Sequence, residues 1–281
     1  MDKTTGGKLN LNVIGMGPGD PELITVKAVN ALINSDFIFY PDVSGGKNKA
    51  AYDIAKAAVR IATGHELEEE RFLPLKVEMK RSSGRNKDLY AENAAKIAEK
   101  LKEGDCSYVT IGDPMFYSTY WGLHDAIENI IDKKNKHFAA AEENKGLKTG
   151  NEIENGRRGF KINIINGVSS FHYSFGLIGE PYIVKNSPVL ITVPVKKDLR
   201  EIEDEIRFIA GKSQKPRSIV FMKAGGYVKD ILSAFEGVCG KVCPRNNPKL
   251  YLIEKSKLID KFWEKKEKDF DYFSVLVGVF L

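Results

Sequence analysis

The order strand, glycine loop, helix at the start of this chain limits what it can fold into. Leu11–Ile14 is an apolar run, and Gly15-Met16-Gly17-Pro18-Gly19-Asp20-Pro21 is a turn cluster. Leu23, Val26, Val29 and Leu32/Ile33 then recur at helical spacing, with Thr25 placed as an N-cap. Asn34-Ser35-Asp36 ends the helix, and Phe37–Tyr40 is a second short apolar strand that Pro41 stops. Strands that alternate with helices run parallel in one sheet, because a crossover of that length returns the chain to the edge it left. The alternation predicts an α/β fold on a parallel sheet.

The same rhythm continues for most of the chain. Ala50–Ala62 and Tyr90–Leu101 are alanine-rich amphipathic helices, and the polar, basic Lys76–Asn86 between them reads as a mobile loop. Cys106–Ile111 is a buried strand that ends in Gly112-Asp113-Pro114, and Tyr120–Ile131 is a helix. Lys133–Arg158 has no apolar periodicity and reads as an inserted or disordered segment. Lys161–Ile165 resumes as a strand, followed by Asn166-Gly167-Val168-Ser169-Ser170 and an apolar helix. After Pro181 the pattern changes. Val189–Val195, Ser218–Lys223, Leu250–Glu254 and Tyr272–Phe280 are strand-like, separated by helical stretches at Asp198–Ile209 and Val228–Phe235. The reading is two domains, residues 1–183 on a parallel sheet and residues 184–281 on a mixed one.

Composition narrows the function classes. The longest apolar run is Val275–Leu281, far short of the ~18–20 residues that a membrane helix needs, so it reads as a buried strand. Met1–Asn10 is polar, so no signal peptide is expected, and a cytoplasmic location follows. Three cysteines, Cys106, Cys239 and Cys243, are an odd count with no second Cys or His pair nearby. That argues for free thiols over a disulfide framework or a four-ligand zinc site, and no metal is expected. Lys and Arg exceed Asp and Glu by 43 to 38, a net charge of +5. So mild an excess, without a concentrated basic stripe, suits an anionic small molecule better than a nucleic acid.

The glycines at 15, 17 and 19 superficially suggest a dinucleotide loop. That reading needs a glycine at position 20, and Asp20 stands there instead. A carboxylate beside a pyrophosphate is repulsive, and Pro18 removes a backbone donor. What lifts the loop above an ordinary tight turn is a second polar loop, Gly112-Asp113-Pro114-Met115-Phe116-Tyr117-Ser118-Thr119, at the same edge of the expected sheet. Ligands of open α/β sheets bind at the carboxyl edge of the strands.

Taken together, five segments in register resemble the tetrapyrrole methylases, the class III methyltransferases. They are the GMGPGDPELIT stretch ending at Thr25, Phe39-Tyr40-Pro41, Ile111–Thr119 (IGDPMFYST), Ile165–Phe171 (INGVSSF) and the closing Asp271–Val279 strand. The Tyr and Ser after GDPMF and the GVSSF loop are most similar to members that methylate the C(20) meso carbon of precorrin-2 or cobalt-factor II. The Lys133–Arg158 insertion departs from the family pattern. The resemblance implies two unlike α/β domains with S-adenosylmethionine between them, a homodimer, and an anionic tetrapyrrole as the acceptor. Carried over by position, Ile111, Gly112, Asp113, Phe116, Ser118 and Thr119 belong to the methyl-donor site. Val168, Ser169 and Ser170, then Val193-Pro194-Val195 and Met222-Lys223-Ala224, complete it. Gly17, Pro18, Gly19, Asp20 and Tyr117 face the acceptor.

No residue stands out as a catalytic base or nucleophile. His172, in the helix after GVSSF, reads as a packing residue, as does His124 beside Trp121. Lys27, Lys47, Lys49, Arg81 and Arg85 are candidates to meet substrate carboxylates, and each also fits a solvated surface. Two alternatives remain open: a class III methylase acting on another ring position or another acceptor, and a non-catalytic module on the same fold.

Overall fold

The computed structural model describes residues 9–43, 49–77, 83–130, 160–181, 186–214, 216–240, 248–264 and 270–281. The chain divides into two compact units, Met1–Val168 and Ser169–Leu281. Each is an α/β layer structure, the first on an all-parallel sheet and the second on a mixed one.

In the first unit the elements run β1 (Leu9–Gly15), α1 (Val26–Asn34), β2 (Phe37–Asp42), α2 (Ala50–Thr63), β3 (Phe72–Lys76), α3 (Ser83–Lys100), β4 (Cys106–Thr110), α4 (residues 120–130) and β5 (Phe160–Ile165). The sheet order is β3-β2-β4-β1-β5. Thr25 caps α1 as its sequence suggests, its Oγ1 accepting from the Ala28 N–H at 3.2 Å. Alternation along the strands feeds two separate cores. Ile14, Ile38 and Val109 meet α1 and α2 on one face; Leu11, Val13, Phe39 and Tyr108 meet α3 and α4 on the other. Each fully buried Leu or Ile here contributes ~1.5–3 kcal/mol by removal from water.

The second unit runs α5 (Ser170–Ile178), β6 (Val189–Thr192), α6 (Leu199–Ala210), β7 (Arg217–Phe221), α7 (Val228–Cys239), β8 (Lys249–Glu254), β9 (Lys257–Ile259) and β10 (Val275–Phe280). Its sheet order is β6-β7-β10-β8-β9, with only β6 and β7 parallel. The closing apolar run forms β10, every residue of which is buried. Helices α6 and α7 bury Ile202, Ile206, Ile231 and Phe235 against this sheet. Asp198 and Glu201 form a reciprocal capping box at the start of α6.

Several local expectations need correction. Pro41 does not stop β2, which runs on to Asp42 against β3. Pairing with β4 ends at Phe39↔Tyr108, so beyond that point β2 is an edge on one side, where a missing N–H costs no ladder bond. Strand β3 lacks a strong signal because Pro74 interrupts it and Leu73 and Leu75 are its only leucines. Lys76–Asn86 is not one loop: Lys76 ends β3 and Ser83–Asn86 begin α3. The three-residue β9 was too short to carry a period. The Lys133–Arg158 insertion, Lys47, Arg81 and Cys243 lie outside the described residues, as does the side chain of Arg85.

Candidate functional site

Connections in the first unit diverge between its two central strands. Strand β1 leaves through α1 on one face, and β4 leaves through α4 on the other. Adjacent parallel strands whose crossovers part in this way open a crevice at their carboxyl ends, where α/β sheets bind ligands. The loops that border it are Gly15–Asp20 after β1, Ile111–Thr119 after β4 and Asn166–Val168 after β5.

These loops touch backbone to backbone. A Cβ on Gly167 would stand 2.4 Å from the Gly112 carbonyl oxygen and 2.7 Å from Gly15 C, and one on Gly15 would stand 2.6 Å from both Gly112 O and Gly167 N. Only glycine permits that approach. Gly17 and Gly112 form a two-bond bridge, the Gly17 N–H donating to Gly112 O at 3.2 Å and the Gly112 N–H to Gly17 O at 2.7 Å. Gly17 and Gly19 hold φ of +76° and +137°, so the loop's glycines also supply backbone that other residues rarely adopt. Nothing lies within 4 Å of where a Cβ on Gly112 would be, so open space begins directly off the end of β4.

Asp113 is the hinge pin of the arrangement. It is 8% exposed, and its carboxylate accepts from three donors: the Met115 N–H on Oδ1 at 2.7 Å, and Asn166 Nδ2 and the Gly167 N–H on Oδ2 at 3.1 and 3.2 Å. The carboxylate thus joins the β4 loop to the β5 loop. Asn166 and the paired Gly15 and Gly167 lie in segments that the sequence marked, yet none of the three was among its candidate site residues. The signal available was the mirrored placing of Gly112-Asp113 and Asn166-Gly167 at the ends of two strands.

Further along the β4 loop, Ser118 Oγ accepts from the Tyr120 N–H at 3.1 Å and lies 3.4 Å from Thr110 Oγ1, which fixes the entry to α4. Thr119 hydrogen-bonds Tyr108, whose burial pushes its hydroxyl up to about 12. Phe116 packs edge-on to Tyr117 at 5.4 Å. Tyr117 is half exposed in the left-handed region, at φ +50°. In the β1 loop, Asp20 Oδ1 accepts from the Glu22 N–H at 3.0 Å and caps the turn Pro21–Leu23, while Pro18 and Gly19 lie at its outer part. Ile111 and Val168 are half-buried neighbours of this set.

Ser169 and Ser170 already belong to the second unit, where buried Ser169 stands at the N-cap of α5. The other candidates of that unit lie at the ends of its two parallel strands. Val193-Pro194-Val195 follows β6 and Met222-Lys223-Ala224 follows β7, linked by the Met222 N–H donating to Thr192 O at 2.8 Å. Behind them the Thr192 hydroxyl donates to Glu205 Oε1 at 2.8 Å, and Lys197 pairs with the same carboxylate. Lys223 takes a left-handed φ of +57°, and Ala224 N–H donates to Ser274 O at 2.8 Å, so this loop too is shaped by backbone bonds.

The remaining candidates divide. His172 is exposed and lies beside the Phe171 ring at 4.2 Å; His124 Nδ1 hydrogen-bonds the Tyr120 hydroxyl at 3.0 Å, and its Nε2 lies 3.2 Å from Glu128 Oε1. Lys27 is exposed, and Lys49 sits 4.3 Å over the Tyr52 ring. Burial pushes the Cys106 thiol up to about 12, so it is an inert core group. Among the described residues no cluster of His, Cys, Asp and Glu is arranged to hold a metal, and no helix is long and apolar enough to cross a membrane.

Comparison with known proteins bears on these loops. The sequence pattern of the Tetrapyrrole (Corrin/Porphyrin) Methylases matches residues 10–131. A probable cobalt-precorrin-2 C(20)-methyltransferase of Methanocaldococcus jannaschii is 30% identical over 193 residues, which is 68% of this chain and 66% of that protein. A precorrin-2 C(20)-methyltransferase of a Sinorhizobium species is 34% identical over 122 residues, 41% of this chain and 48% of that one. The solved structure of a cobalt precorrin-4 methyltransferase superposes with a TM-score of 0.62 over 96% of this chain and 94% of its own, at 16% identity. That likeness concerns the fold.

Proposed function

The chain belongs to the tetrapyrrole (corrin/porphyrin) methylase family, and we propose that it transfers the methyl group of S-adenosylmethionine to the C(20) meso carbon of precorrin-2 or cobalt-factor II. The observation that carries this reading is the meeting of the β1, β4 and β5 loops on glycine backbone at the carboxyl edge of the parallel sheet, with open space off Gly112. Two relatives bearing C(20) names support the ring position.

The residues present suit such a donor. A zwitterionic nucleoside asks for backbone donors and acceptors at close range, and the loop ends supply them with no side chain in the way. The donor, when bound, supplies a sulfonium, which is already a strong electrophile. Bound there, it would give up its methyl group with the carbon–sulfur electron pair left on sulfur, and the accepting meso carbon would then lose a proton. Such chemistry asks the protein for alignment, which in favourable cases supplies ~7–11 kcal/mol of the barrier. In the first unit Ile111, Gly112, Asp113, Phe116, Ser118, Thr119 and Val168 would hold the donor; Ser169, Ser170, Val193–Val195 and Met222–Ala224 are the donor candidates of the second. Gly17–Asp20 and Tyr117 would face the acceptor, with a homodimer as the working form. Cytoplasmic placement accords with the substrate.

Calorimetric binding of S-adenosylmethionine, followed by turnover with precorrin-2 and with its cobalt form, tests the assignment. Donor binding without methylation of either ring would move the reading to another class III acceptor.

A further inference from the structure

We propose that Asn166 is a positioning residue for methyl transfer, acting through Asp113 to hold the β4 loop in its donor-binding shape; this rests on the methyltransferase reading above. Asp113 stands at the GDP turn, yet its carboxylate is turned inward and three backbone or side-chain N–H groups occupy it. A carboxylate has about four acceptor positions, so at most one remains for a ligand. Its main work is therefore to join two loops.

Two of its three bonds come from backbone that the fold already places, the N–H groups of Met115 and Gly167. Asn166 supplies the third, and it alone comes from a side chain. The Asn166 amide is neutral, so it satisfies the buried charge while adding no net charge beside a sulfonium. Its backbone is the residue immediately before Gly167, whose Cα faces Gly112 O. Rotation of Asn166 out of this bond frees Oδ2 on one side and loosens the approach of Gly167 to Gly112. The Gly112 carbonyl and the open space beside it are then no longer held at one distance.

The test uses the full chain and S-adenosylmethionine itself. Asn166→Ala removes the donor to Oδ2, and its dissociation constant for S-adenosylmethionine is expected to rise about tenfold or more. The KM for the donor rises correspondingly, while turnover at saturating donor stays within about threefold of the parent. Asn166→Asp gives a readout that general destabilisation does not imitate. At about pH 8 both carboxylates are ionised and repel, and donor affinity falls below that of the alanine variant. At about pH 5 the pair shares a proton, an O–H replaces the amide donor, and affinity recovers toward the parent's at the same pH. Thermal melting shows that each variant is folded at the temperature of the titration; if Asn166→Ala is not, the pH comparison within folded Asn166→Asp decides. Parent-like affinity in both variants at both pH values overturns the assignment of Asn166 and leaves the methyltransferase reading standing. Failure of the parent chain to bind the donor overturns that reading and this one with it.

Discussion

Replacing Gly167 with alanine probes the meeting of the three loops by the smallest possible addition. The new methyl carbon would stand 2.4 Å from Gly112 O and 2.7 Å from both C and O of Gly15. Carbon contacts are comfortable at ~3.5–4.0 Å, so one loop must retreat by about 1 Å. The obstructing atoms are backbone, and they are held by the paired Gly17–Gly112 bonds and by Asp113 on Gly167. Overpacking of this kind costs ~1–3 kcal/mol, and stretching one or two hydrogen bonds adds ~0.5–1.5 kcal/mol each, giving about 3 kcal/mol for the first unit. At a urea dependence of ~2 kcal/mol per molar, its unfolding midpoint should fall by about 1.5 M. The chain's two tryptophans separate the units, Trp121 in the first and Trp263 in the second. Fluorescence in a Trp263→Phe background therefore follows the first unit alone. Gly176→Ala, in α5 with nothing within 4 Å of its Cβ position, is the control. It should stabilise the second unit by ~0.5–1 kcal/mol, read through Trp263 in a Trp121→Phe background. A first-unit midpoint for Gly167→Ala within about 0.3 M of the parent would refute the rigid three-loop contact.

The buried thiol makes stability depend on alkaline pH. Cys106 holds its proton to about 12 in the fold, against 9.0 ordinarily, so the unfolded chain releases that proton first and stability falls as pH rises above about 9. The loss is about 1.4 kcal/mol by pH 10. Cys106→Ala should lower overall stability yet remove that part of the slope in urea titrations at pH 8 and 10. Thr25→Ala should cost the first unit ~1 kcal/mol, and Asp198→Ala the second unit ~1 kcal/mol, each visible in the tryptophan of its own unit and silent in the other. Single-turnover rates for His172→Ala, Tyr117→Phe and Asp20→Asn should each fall by no more than ~10²-fold with both ligands saturating. A loss of ~10⁴-fold in any of them would reveal a dedicated base.

Much of this protein is legible along the chain because its signals are local. The strand, glycine turn and helix of Leu9–Asn34, the Thr25 cap and the buried closing strand follow from the spacing of apolar residues and the turn chemistry of neighbours. The ends of β1, β4 and β5 were readable for the same reason, since Gly, Asp and Pro cluster where strands stop. Pro41 misled because whether a proline can sit in a strand depends on which neighbour its missing N–H would face, and sequence does not state that β4 ends its pairing two residues earlier. The direction of Asp113 was likewise hidden. A carboxylate after a strand looks free for a ligand until the sheet order sets β5 on the far side of β1 and brings Asn166 and Gly167 within reach, more than fifty residues along the chain. Residue type sets what a group can bond; only the folded sheet, by closing long loops at one edge, decides which partner reaches it first.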